Sequence, residues 1–334
     1  MQSTAFGLHD DITDVPGVLV GHCGDTEALT GVTAILPPPD GAPAGVYVGG
    51  AAPSTRQMDS LRPLHVVDRV HGICLCGGSA FGLDAAGGVL ACLEEKGVGF
   101  RVVGRTIPIV PAAAIFDLNL GDGSIRPDAQ MGRCACERAG SGPVAQGSVG
   151  AGTGASVGKL FGIAQGMKGG LGSAAEVSGN LIVGALVVVN AYGDVTDLDG
   201  ALVAGARIAA DSLEFADSAR LLKEGSAVSL RLPVENTTLA LVAVNAKLDK
   251  IAASRIAAQA TTGLARVIRP FHTHIDGDLT IVMGTGQMDV DPNRIGLLAA
   301  QALQRAVVRG VKKADGFGTI PAWSDLATES HTPS

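Results

Sequence analysis

The sequence predicts an α/β fold in which strands of small residues lie under helices. Short apolar runs alternate with helical patterns along the whole chain, and no linker interrupts them. The 334 residues are 46% hydrophobic but only 3% aromatic, so the core must be built from Ala, Val, Leu and Ile. The 47 glycines follow no fixed period and sit among apolar residues. That pattern favours tight turns between packed layers and excludes collagen-like or linker-like chains.

The elements follow in order. A loop over residues 8–17 enters a strand at 18–21, and further strands are expected at 31–36, 46–49 and 70–75. Gly77-Gly78-Ser79 then turns the chain into a helix ending near Glu94-Glu95-Lys96-Gly97. The glycines there suit either close helix packing or an anion at the helix start. A strand at 99–103, an apolar lining segment at 108–118 and a helix at 131–139 come next. The run 181–189 is the most apolar of the chain and reads as a buried strand ending in the polar Asn190. Residues 199–224 read as helical or loosely ordered. A buried strand at 239–244 precedes an amphipathic helix at 250–268, a strand at 279–283 and a helix at 291–309 started by Asp291-Pro292. The polar tail, 323–334, is expected to fray.

Charge and composition narrow the function classes. Net charge is −7 with Lys and Arg scattered, so no basic footprint for nucleic acid exists. No run approaches the roughly 18 apolar residues of a membrane span. Residues 1–14 lack the basic-then-apolar pattern of a secretory signal, and a cytoplasmic enzyme is expected. The six cysteines, Cys23, Cys74, Cys76, Cys92, Cys134 and Cys136, accordingly read as reduced thiols. Their Cys-x-Cys spacings do not match zinc knuckles, and His272-x-His274 lacks a third ligand, so no metal is expected. The glycine loop 147–158 has no βαβ unit with a downstream ribose-binding acid, so no nucleotide cofactor is expected either.

The chain is organised around the stretch 234–245. A polar turn, Val234-Glu235-Asn236, leads through Thr237 and Thr238 into the buried strand. On local grounds this is equally an ordinary turn entering a strand, since Asn suits turns and Thr suits strands. Asp276-Gly277-Asp278 likewise reads as a turn, and Asn190 as a strand cap. A glycine-dense region upstream supplies Lys159 and Lys168.

Six segments taken together carry more. They are 77–86 (Gly-Gly-Ser-Ala-Phe-Gly-Leu-Asp-Ala-Ala), 152–159 (Gly-Thr-Gly-Ala-Ser-Val-Gly-Lys) and 167–173 (Met-Lys-Gly-Gly-Leu-Gly-Ser). With them come 189–193 (Val-Asn-Ala-Tyr-Gly), Asn236-Thr237-Thr238 and Asp276-Gly277-Asp278. In order and spacing, over residues 8–320, the chain resembles the family of L-aminopeptidase/D-esterases, β-peptidyl aminopeptidases and nylon-oligomer (6-aminohexanoate oligomer) endo-hydrolases. It looks most like the nylon-oligomer branch, which has Thr after Asn at the cleavage point and Asp-Gly-Asp where the aminopeptidases carry Ser and Glu.

The resemblance implies an αββα sandwich laid out like N-terminal-nucleophile hydrolases, with its own connectivity. It implies one domain that cuts itself between Asn236 and Thr237 into an α subunit, 1–236, and a β subunit, 237–334. The two would stay associated, in a homotetramer of αβ units. Thr237 would be the nucleophile, Asn190 the oxyanion donor and Lys159 a positive charge beside them, with Asp276 and Asp278 orienting Thr237 and Lys159. Thr238 is the rival nucleophile if cleavage falls one residue later.

Physical chemistry supports this assignment. A threonine hydroxyl is a weak nucleophile and needs a base at hand. Cleavage frees an α-amino group with an ordinary pKa of about 7.7–8.0, which can take the hydroxyl proton near neutral pH. An oxyanion donor such as the Asn190 amide is typically worth about 2.7–4 kcal/mol. Asp276 and Asp278, two residues apart, would share one face of an extended strand. The leading expectation is an autoprocessed hydrolase of linear amides, either nylon-type oligomers or small peptides cut as by an aminopeptidase. An acyltransferase of the ornithine-acetyltransferase type uses the same nucleophile but delivers the acyl group to an amine. A non-catalytic binding protein would remain one uncut chain.

Overall fold

The computed structural model describes residues 8–225 and 236–329. Residues 1–7, the segment 226–235 with Val234 and Glu235 of the expected polar turn, and the tail residues 330–334 lie outside the described residues.

Strands β1 (Leu19–Asp25), β2 (Thr30–Leu36), β3 (Ala42–Val48), β4 (Ser54–Arg56), β5 (Arg69–Val70) and β6 (Ile73–Cys76) come first. Helix α1 (Ala85–Glu95), strand β7 (Ala112–Ala114) and helix α2 (Ala129–Glu137) follow. Then come β8 (Gly170–Ser178), β9 (Leu181–Asn190), β10 (Thr237–Ala246), α3 (Lys250–Val267), β11 (Leu279–Met288), α4 (Pro292–Lys312) and α5 (Trp323–Glu329). The helix starts are written in the sequence: Asp128, Asp249 and Asp291 each accept a backbone N–H of the first turn, and Pro292 follows the last of them.

Two sheets result, ordered β1-β2-β6-β7-β4 and β8-β9-β10-β11-β3-β5. The period-2 alternation of strand side chains turns them into four layers. Along β10, Leu239, Leu241 and Ala243 point between the sheets, beside Leu186 and Val188 of β9 and Ile35, Ile73 and Leu75 of the other sheet. The intervening Ala240, Val242 and Val244 point outward, onto Ile256, Ala260 and Leu264 of α3 and Ala299, Leu303 and Val307 of α4. Val32, Ala34, Cys74 and Cys76 of the five-stranded sheet point the other way, onto Val89 and Cys92 of α1 and Ala135 and Cys136 of α2. The order is therefore helix, sheet, sheet, helix. Small residues allow this stacking: a side chain on Gly172 of β8 would collide with the Ala306 carbonyl of α4.

Five expectations need correction. Strand–helix alternation is not chain-wide, because β1–β3 follow one another through tight turns and most strand pairs are antiparallel. The apolar run 70–75 is two strands, with the chain crossing from one sheet to the other at His71-Gly72. Residues 199–224 contain a short strand, Leu202–Ala204, and a short helix, Ser218–Lys223. The tail does not fray from 323: Trp323 and Leu326 of α5 pack on the α3–α4 core, which anchors the helix. The cysteines also differ from the all-thiol reading. Cys23 of β1 and Cys134 of α2 are paired as a disulfide, their Cα atoms 5.9 Å apart, while Cys74, Cys76, Cys92 and Cys136 are buried free thiols. No helix among the described residues is long and apolar enough to cross a membrane.

Candidate active site

Strand directions bring the predicted residues to one edge of the six-stranded sheet. β9 runs antiparallel to β10, so its last residue, Asn190, pairs with the first of β10, Thr237. β10 and β11 are parallel, so both begin at that same edge, and an isolated bridge joins Asn236 to Asp276 just ahead of them. Continuing the alternation back from Leu239 turns Thr237 into the space between the sheets, with Asn190 beside it. All five predicted side chains are buried, and Asn190 is 0% exposed.

The Asn236 carbonyl is the centre of the arrangement. Thr237 Oγ1 donates to its oxygen at 2.6 Å, and the Gly277 N–H donates to the same oxygen at 2.8 Å. Only glycine fits at 277: a Cβ there would lie 2.7 Å from Thr237 Oγ1 and 2.6 Å from the Ala52 carbonyl oxygen. Lys159 and Asn190 are also brought together. Lys159 Nζ donates to Asn190 Oδ1 at 2.9 Å and to its carbonyl oxygen at 3.3 Å. Ser156 N–H donates to the same Oδ1 at 3.1 Å, which fixes the amide so that Nδ2 is the donor end, 3.1 Å from the Phe116 carbonyl.

The two aspartates diverge instead of sharing a strand face, because β11 begins only after them, at Leu279. Asp278 Oδ1 accepts the Thr238 N–H at 2.6 Å, and its Oδ2 lies 3.0 Å from His272 Nδ1. Asp276 Oδ2 accepts the Thr273 N–H and hydroxyl, both at 2.7 Å. Burial, and then the charge of Asp278, push the Asp276 carboxyl up to about 6, while the Thr273 hydrogen bonds and the Lys159 charge pull the other way. Asp278 thus grips Thr238, the residue after Thr237, and Asp276 braces the loop that carries Thr273.

Lys168 does not join this group. Its ammonium is 0% exposed and donates to the Thr153 carbonyl at 2.6 Å, and burial lowers its pKa to about 8. Its charge acts on Asp117, which accepts Gly78 N–H at 2.7 Å and Thr30 Oγ1 at 2.8 Å and is raised by burial to about 6. This cluster supports the segments that carry Phe116 and Ser156, which with Lys159 hold the Asn190 amide.

Sequence reading missed two participants. Gly277 appeared only as the middle of a turn, yet its N–H meets the Asn236 carbonyl. His272 reads in sequence only as half of a His-x-His pair without a third ligand; in the structure it adopts a left-handed conformation, φ +55°, and its Nδ1 meets Asp278 Oδ2. Among the described residues, no group of three or more His, Cys, Asp or Glu side chains is placed to hold a metal.

Chemically, the edge sets a hydroxyl against its own preceding carbonyl, with a backbone donor on that oxygen and an amide and ammonium close by. Comparison with known proteins agrees with the hydrolase character of this arrangement. The profile of peptidase family S58 matches residues 10–320. An uncharacterized aminopeptidase of Mycobacterium tuberculosis is 39% identical, covering 95% of this chain and 98% of its own. A 6-aminohexanoate-oligomer endohydrolase of Kocuria sp. is 29% identical over 90% of this chain and 85% of its own, so overall identity ranks it below the mycobacterial protein. Among solved structures, a Burkholderia sp. beta-aminopeptidase superposes with a TM-score of 0.70 at 23% identity, covering 98% of this chain and 96% of its own. The L-aminopeptidase D-Ala-esterase/amidase of Ochrobactrum anthropi, described as a variant of the Ntn hydrolase fold, gives 0.69 at 21%, covering 98% and 95%. The fold is that variant, and the chain belongs to peptidase family S58, a peptidase or amide hydrolase.

Proposed function

We propose that the chain cleaves itself between Asn236 and Thr237, and that the freed Thr237 is the nucleophile of a hydrolase of linear amides. The observation that carries this reading is the Asn236 carbonyl, held by Gly277 N–H with Thr237 Oγ1 at 2.6 Å from its oxygen. Attack of Oγ1 on that carbonyl carbon breaks the C–N bond, moves the Asn236 acyl group to the hydroxyl oxygen and leaves the Thr237 nitrogen as an amine. Water then hydrolyses the ester. The new amine takes the Thr237 hydroxyl proton in each later turnover. The substrate acyl group forms an ester on Oγ1, the amine product departs, and water releases the acid. Asn190 Nδ2 stabilises the oxyanion, the Lys159 charge favours the neutral Thr237 amine, and Asp278 fixes the strand end through Thr238 N–H.

The fragments remain joined in this scheme because one sheet spans both. β10 and β11 of the β subunit pair with β9 and β3 of the α subunit. Small peptides and 6-aminohexanoate oligomers are the substrate classes the relatives suggest. A homotetramer of αβ units in the cytoplasm belongs to the same reading.

The test is product analysis with purified protein and small peptide and aminohexanoate amides. Equal release of amine and free acid, lost in Thr237→Ala, is expected. Acyl transfer to an added amine with little free acid would instead establish the acyltransferase reading.

A further inference from the structure

At the mouth between the two sheets lies a cavity of about 440 Å³. That volume is within the range of small-molecule sites. Val46 and Val48 of β3 form one wall. Val46 packs in the layer between the sheets, and Val48, two residues on, faces the same way. The strand register sets Val48 in one row with Leu279 and Leu239. Thr237 is the next residue of β10 on that face. β3 is two strands from β10, so at the usual spacing the cavity wall lies about 10 Å across the sheet from the nucleophile strand.

The opposite side of the cavity begins at Pro53 and continues to Met58. Pro53 follows Ala52, whose carbonyl oxygen and Thr237 Oγ1 crowd the same side of Gly277, each within 2.7 Å of where a Cβ would stand. The cavity therefore starts one residue from an atom that adjoins the nucleophile. Ala52 N–H is bonded to the Asp276 carbonyl, which ties this wall to the catalytic loop. Val46, Val48, Pro53 and Met58 supply the hydrocarbon of the lining, and Thr55, Gln57, Asp59 and Arg62 its polar side.

We infer that this cavity is the subsite for the aliphatic chain of the amide substrate, with Val48 and Met58 setting the chain length accepted. The inference rests on Thr237 being the hydrolytic nucleophile. An unbranched chain lies along Val46, Val48 and Met58 with its polar end toward Asp59 and the other polar lining residues, over a span of about three extended backbone residues. Each methylene taken out of water there raises kcat/KM about three- to fourfold until the cavity is filled.

The test uses p-nitroanilides of unbranched ω-amino acids with two to six carbons, on the self-cleaved protein. Wild type should show the rise per methylene, carried in KM. Val48→Trp should flatten the series, cutting the long-to-short ratio at least tenfold, and Val48→Ala should shift the optimum toward longer chains. A wild-type series without length dependence, or a ratio unmoved in both variants, overturns the subsite. A self-cleaved wild type that hydrolyses no anilide or amide overturns the hydrolase reading itself, a distinct result from hydrolysis that ignores position 48.

Discussion

Lys159 and Lys168 are nine residues apart in the same glycine-rich region, and both are buried, yet they belong to different machinery. Lys168 ends on a backbone carbonyl beside Asp117 and holds the scaffold. Lys159 ends on Asn190, at the sheet edge where Thr237 begins. Burial and a short hydrogen bond are common to both, so neither marks function. What separates them is where the bond leads: one charge closes a loop, and the other reaches a carboxamide that pairs in register with a hydroxyl next to its own peptide carbonyl.

The largest effects should fall on the two lysines. Lys168→Met leaves the buried Thr153 carbonyl without its donor and removes the charge that acts on Asp117, and stranding such a buried group costs about 1–3 kcal/mol. Denaturant unfolding should show that loss while the folded fraction still cleaves itself. Lys159→Met should act on the chemistry as well. Cleavage and turnover should fall about 10²–10³-fold, as for loss of an electrostatic donor. Its stability loss should be of similar size, about 1–3 kcal/mol for the stranded Asn190 oxygens, so the fall in cleavage is what separates the two lysines. If both variants lose stability and cleavage in proportion, the distinction between the two lysines fails.

A smaller effect is expected at His272. His272→Ala removes the partner of Asp278 Oδ2 and should slow self-cleavage about tenfold, near the upper worth of one hydrogen bond. His272→Asn, whose Nδ2 can take the place of Nδ1, should restore most of the rate. Equal rates for both variants would separate His272 from the site.

The smallest effect concerns pH. The Asp276 carboxyl is raised from an ordinary 3.8 to about 6, burial being the main cause. Between those values the folded chain keeps a proton that the unfolded chain has released, so this residue makes stability fall as pH rises through the window. Asp276→Asn should therefore melt a few degrees above wild type at pH 7 and level with it near pH 4. A constant difference across that range would assign the effect to packing alone.

Much of this molecule is legible in its sequence, for physical reasons that differ by region. The helices over 250–267 and 292–312 and the strand at 237–246 are long, periodic and capped, so pattern alone finds them. The site residues Thr237, Asn190, Lys159, Asp276 and Asp278 were gathered by resemblance, since nothing in their local sequence distinguishes them from turns and caps. The rest depends on tertiary geometry. The split of 70–75 between two sheets, the Cys23–Cys134 pair and the reach of His272 to Asp278 arise from contacts between distant segments that no periodicity encodes. Gly277 could be read as a turn but not as a donor, because its N–H acquires meaning only when β10 and β11 start side by side.

The central claim is that Thr237 breaks its own peptide bond, and intact-mass measurement of purified wild type beside Thr237→Ala tests it most directly. Dividing 33.5 kDa in proportion to 236 and 98 of 334 residues predicts wild-type fragments of roughly 24 and 10 kDa, the smaller beginning at Thr237, with the variant whole. A folded wild-type chain that stays intact, or a Thr237→Ala chain that still divides at Asn236, would contradict the account.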